Sequence, residues 1–157
     1  MKSIKIIILF MLLCLQTYGQ ETNHEKASTV SFRLKEVQYL PDSNIEMTIT
    51  LYGVKKKDSD YHAKCSAIRL LLFEGVGTGL FSKPFLEEGE HTAFESHPTY
   101  FQDLFDVAYN DFIKSCVMEG GYKKADKEKG TSFHLVVRAL LLRRDLEKKQ
   151  IRKKIGL

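Results

Sequence analysis

The sequence predicts an α+β domain: an antiparallel or mixed sheet of about four strands, two main helices packed on one face, and a short C-terminal helix. Three observations carry this. Apolar and polar residues alternate with period two over 30–35 and 45–52, apolar residues recur at three-four spacing over 61–74 and 98–116, and a run dense in Val, Leu and Phe fills 132–142. The order is hairpin, two helices, further strands, short helix, which packs as helices against one sheet.

The chain opens on an export signal. Lys2 and Lys5 precede an unbroken apolar run from Ile6 to Leu13, with small residues at Thr17 and Gly19. The run is too short to span ~30 Å of hydrocarbon, which takes about 20 helical residues. Lipid attachment through Cys14 is the competing reading, but Met11, Leu12 and Leu13 stand where lipoprotein processing wants a small residue. Cleavage after Gly19 fits better and leaves Gln20 first. Residues 1–19 are thus expected to be a signal peptide, 20–28 a polar disordered lead-in, and 29–157 a single domain, exported to the periplasm or secreted.

Val30, Phe32 and Leu34 form the apolar face of a first strand, and Ile45, Met47, Ile49 and Leu51 that of a second, with Pro41-Asp42-Ser43-Asn44 turning between them. Arg33, Lys35, Glu46, Thr48 and Thr50 are expected to face water. After Lys55–Asp60 a helix is expected near Tyr61, carrying Cys65, Ile68, Leu71 and Leu72 inward and stopping at Gly75. Gly75-Val76-Gly77-Thr78-Gly79 follows a helix and does not precede one, so it reads as a C-cap and not as a phosphate cradle.

Residues 75–97 show no periodicity. Leu80, Phe81, Phe85 and Leu86 within them either cap the core or, if exposed, form a partner contact. The second helix is expected from Pro98 to Gly120, with Phe101, Leu104, Phe105, Ala108, Phe112 and Cys116 along its inner stripe. Residues 132–142 read as a central strand, with 117–124 as its partner, and 143–150 as a helix docked through Leu146.

Charge is divided along the chain. Residues 20–120 hold 10 basic and 16 acidic side chains, and residues 121–157 hold 12 and 4. The basic C-terminal segment solvates a hairpin tip and a helix face, or makes peripheral contact with an anionic surface; nucleic acid is not expected of an exported chain. Cys65 and Cys116 would fall level if the two helices packed antiparallel, allowing a disulfide, whereas two buried thiols explain the same stripes. No spacing marks a catalytic nucleophile: His62 lies three residues before Cys65 without a known motif. His91, Glu95 and His97 are too scattered to indicate a metal site. No catalytic, cofactor or metal residues are assigned, and no cofactor is expected.

From Cys65-Ser66-Ala67-Ile68-Arg69-Leu70-Leu71-Leu72-Phe73-Glu74-Gly75, through Tyr100-Phe101 and Tyr109 to Ile113, to Leu142-Arg143-Arg144-Asp145-Leu146-Glu147-Lys148 and Ile151-Arg152-Lys153, the chain resembles a family of exported Bacteroidetes proteins. The resemblance implies export and brings no activity with it. The element order is also similar to the small N-terminal α+β domains of flagellar assembly T and Tol-Pal translocation B proteins. The expected function is a non-catalytic envelope or periplasmic module that binds another protein. The alternatives are a small-molecule or lipid carrier with a cavity lined by the aromatic helix, and a hydrolase or thiol enzyme.

Overall fold

A computed structural model describes residues 30–77, 79–123 and 130–153. The leader with Cys14, the lead-in, Lys124, Lys127, Lys129, Ile155 and Leu157 lie outside the described residues, as does the side chain of Leu80.

The first hairpin forms as its alternation predicts. β1 (Ser31–Tyr39) pairs antiparallel with β2 (Ile45–Tyr52), and the turn is held by Leu40 N–H donating to Asn44 O at 3.0 Å and by the Asp42 carboxylate accepting from Asn44. Lys35 is an extra residue between the pairs Leu34–Ile49 and Glu36–Thr48. This bulge resets the phase, so that Val37 and Tyr39 join Phe32 and Leu34 against the core. On β2, Ile45, Met47, Ile49 and Leu51 are at most 2 % exposed. Thr48 and Thr50 lie on the opposite face but are buried, contrary to expectation. Both neighbours of β2 are strands, and Lys35 reaches across it to donate to Ser132 Oγ at 3.1 Å.

α1 (Lys56–Arg69) starts five residues before the predicted Tyr61, so Lys57 to Asp60 are helical. Ser59 tolerates this because its hydroxyl donates back to Lys56 O at 2.8 Å, and Asp58 in the first turn suits the positive end of the helix. The helix runs into a wide turn, Leu70–Glu74, closed by Gly75 N–H donating to Leu70 O at 2.7 Å. Gly75 has φ +77°, and a Cβ there would come 2.4 Å from Ser82 O, so glycine is required.

The aperiodic segment is organised by main-chain bonds. Phe85 and Leu86 N–H groups donate to Leu71 and Leu72 O at 2.9 and 3.0 Å, which holds the strap along the wide turn. A short turn at Gly79–Phe81 and α2 (Glu90–Ser96) complete it.

α3 (Pro98–Asp106) has Pro98 in its first turn, but it ends far short of the predicted Gly120. A 3-10 turn (Ala108–Phe112) leads into β3 (Ile113–Glu119). The misreading has a physical cause. A register shift between Ile113 and Ser115 lets Ile113 and Cys116, three apart, both pack on the core side, which imitates helical spacing. Asn110 and Asp111, poor helix formers, mark the break.

β4 (Thr131–Val137) pairs with β2 and β3, giving one antiparallel sheet in the order β1-β2-β4-β3. It stops at Val137 and not at Leu142. Ala139, Leu142 and Leu146, each 0 % exposed, are the inner stripe of α4 (Ala139–Lys148), which replaces the predicted end of the strand. All four helices contribute to one core with the inner sheet face, where Phe94 lies 4.6 Å from Phe101 and 5.7 Å from Phe105, ring centre to ring centre. Among the described residues no helix is long and apolar enough to cross a membrane.

Phe101 is 0 % exposed within this ring cluster. Phe101→Ala is expected to cost about 3–5 kcal/mol, seen as a lower urea midpoint at unchanged slope.

Candidate functional site

Chemistry-bearing side chains gather in three places: inside α1, in a cleft between α3 and α4, and on the sheet face that carries no helix.

Inside, Tyr61, Cys65 and Arg69 follow one another at four-residue spacing on a single face of α1. Tyr61 donates to Phe105 O at 3.1 Å, and Arg69 pairs with Glu90 of α2 while its guanidinium lies 5.4 Å from the Phe105 ring centre. Burial pushes the Cys65 thiol up to about 12, against the opposing bond from Tyr61. Burial also pushes Cys116 up to about 12, reinforced by Asp60. Both cysteines are free, so of the two readings, bridge or separate thiols, the structure contains no bridge between Cys65 and Cys116. The level alignment required two antiparallel helices, and Cys116 is on β3. His62 is 9 % exposed, and burial lowers its pKa, so the imidazole is neutral near pH 7. A buried thiol held in the protonated form lacks the thiolate character that nucleophilic catalysis needs.

Of the two readings of Leu80, Phe81, Phe85 and Leu86, core cap or partner contact, the three described side chains follow the cap. Phe81, Phe85 and Leu86 are 2, 4 and 4 % exposed and close the end of the core. Of the scattered histidines, His91 reaches Glu95 at 3.4 Å on the exposed side of α2, while His97 sits at the α2–α3 junction on the rim of the cleft. Among the described residues no group of three His, Cys, Asp or Glu is placed to hold a metal ion.

The cleft, of ≈700 Å³, is lined by Tyr100, Asp103, Asp111, Phe112, Asp145 and Ile151 among others. Tyr100 Oη donates to Asp145 Oδ2 at 3.0 Å; burial first, then that carboxylate, raises the phenol's pKa. Phe112 is the one aromatic of the predicted stripe to line it; Phe101 and Phe105 are closed into the core.

The helix-free sheet face is polar. Its rows run Arg33, Thr50, Ser132, Glu119; then Glu36, Thr48, His134, Val117; then Gln38, Glu46, Val136, Ser115. His134 occupies the middle, with Nε2 2.9 Å from Glu46 Oε1 and Nδ1 3.9 Å from Glu119 Oε1. Thr50 and Ser132 hydroxyls share a 2.9 Å hydrogen bond, and Val117 is 57 % exposed. Period two along β4 puts His134 on the face opposite Phe133 and Leu135; its carboxylate neighbours depend on strand order, which periodicity does not carry.

Comparison of the chain with family models, curated proteins and solved structures finds no match.

Two outcomes follow from these environments. At pH 7.5 both thiols are expected to alkylate at least about a hundredfold slower than free cysteine, and fully only after denaturation, as mass spectrometry will read. Because His62 is held below its ordinary value of 6.5, the unfolded chain binds the extra proton first. Stability therefore falls as pH drops below about 6.5, by up to about 1.4 kcal/mol per unit from this residue. Urea midpoints of His62→Asn should show a correspondingly smaller loss between pH 7.5 and 5.5.

Proposed function

We propose that the chain is a non-catalytic exported module of the cell envelope, freed of its leader after Gly19, that works by binding another protein through its helix-free sheet face. One observation carries this proposal. Helices and aromatic rings fill the inner face of the sheet, whereas the outer face is polar, with Thr50 held to Ser132 and His134 to Glu46, and Val117 is exposed on its edge strand. Polar groups held to one another beside an exposed aliphatic side chain suit recognition by contact.

Enzyme readings draw less support, because the two thiols are protonated and His62 is buried and neutral. Carriage of a small molecule or lipid draws on the cleft between α3 and α4. Its wall of Asp103, Asp111 and Asp145 suits an apolar cargo poorly.

A photo-crosslinking amino acid at the position of Val117, in the full chain in its own cells, is expected to give one discrete adduct in the envelope fraction. The same group at Lys83 should give none, and Glu119→Arg should abolish the adduct at Val117. Protein recovered from that fraction should begin at Gln20. An intact leader on cytosolic protein, or equal adducts at both positions, would overturn the proposal.

A further inference from the structure

The outer side of α4 has a different character from the sheet face. At about 100° per residue, Ala139, Leu142 and Leu146 gather on one side and Leu140, Leu141, Arg144 and Lys148 on the other. The first three are fully buried; Leu141 is 46 % exposed, Leu140 half-buried, and Arg144 and Lys148 exposed. Both acidic residues of the helix are engaged to the sides. Asp145 accepts from Tyr100 at 3.0 Å, and Glu147 accepts from Arg143 Nε at 3.1 Å. The outer face therefore carries positive charge only. Around the helix the other cations are exposed at Lys153 or turned elsewhere: Arg138 donates to Asp111 O at 2.9 Å, Lys149 lines the cleft beside Asp145, and Arg152 turns back over Phe85 at 5.5 Å.

We propose that this face docks on an anionic phospholipid surface, with α4 lying in the plane, Leu140 and Leu141 at the boundary of headgroups and acyl chains, and Arg144 and Lys148 on the phosphates. The charge selects an anionic partner. The leucines select a lipid one: an adjacent aliphatic pair set among cations matches the interfacial pattern, whereas an acidic polymer offers the leucines no apolar environment. The surface is separate from the sheet face, and either proposal can fail without the other.

The test is partition of the purified full chain onto vesicles of phosphatidylcholine with about one-third phosphatidylglycerol, relative to phosphatidylcholine alone, at low salt. Lys2 and Lys5 of the leader raise this ratio equally in every variant, so the loss on substitution is read against the parent chain. A ratio of at least about ten is expected, shrinking as salt screens the charges. Since each basic side chain near such a surface contributes about fivefold, Arg144→Gln with Lys148→Gln should lower the ratio about 25-fold, or to unity. The charge-conserving pair Arg144→Lys with Lys148→Arg should retain it. Leu141→Gln should weaken anionic binding severalfold at an unchanged melting temperature. A smaller ratio for the parent chain, or no loss in the charge-removing pair, overturns the proposal. So does a Leu141→Gln variant that binds undiminished while soluble polyglutamate competes as well as vesicles do, since that assigns the face to an acidic protein.

Discussion

The fold depends on β2 and β4 lying side by side at the centre of the sheet. Their register brings Ile45 opposite Val137, Met47 opposite Leu135 and Ile49 opposite Phe133, so that two apolar rows merge into one surface. Burying each such side chain is worth roughly 1.5–3 kcal/mol, and the surface must be covered by something other than strands. β3, which comes earlier in the chain than β4, is displaced to the edge. The long connection from β2 to β3 can then spend its length on helices over the same face. Coverage of one face leaves the other to water, and this is why the sheet has a polar outer side.

The connection is secured by a local irregularity at the end of α1. A regular helix would bond its carbonyls internally four residues on; the wide turn at Leu70–Glu74 leaves Leu71 and Leu72 O for Phe85 and Leu86. That junction draws the aromatic strap into the core and converts an aperiodic, apolar stretch into a lid for the sheet. The Arg69–Glu90 pair adds a second tie from α1 to α2. Such a pair stabilises little relative to apolar replacement, yet it punishes misplacement, since the buried Arg69 charge alone would be costly. The pair therefore fixes where α2 sits more than it strengthens the fold.

The fold class was legible because β2, β4, α1 and α3 each keep one period long enough to be read. Errors arose where a bulge or a shared residue blurred the period. Lys114 sits in a bulge that spaces Ile113 and Cys116 like a helix, and the consecutive Leu140, Leu141 and Leu142 hide the point where β4 yields to α4. Leu80 to Leu86 carried two readings, and only the main-chain bonds to Leu71 and Leu72 decide that Phe81, Phe85 and Leu86 are interior. The cluster of His134, Glu46 and Glu119 was not legible at all. It comes from three strands whose adjacency follows from the crossover and not from any local pattern.

The charge division of the sequence takes a specific spatial form. In the body of the domain acidic groups have partners close by: Asp42 with Lys114 at 3.1 Å, Asp60 with Lys64 at 2.7 Å, Glu46 with His134 at 2.9 Å. On α4 the acids are tied to the flanks and the outward cations are left over. α4 belongs to the helical layer, and the polar face lies on the other side of the sheet. A chain drawn to an anionic surface by α4 would hold its helical layer toward that surface and its sheet face away from it. The two proposed contacts then do not compete for space, and a partner could reach His134 and Val117 while the helix remains docked.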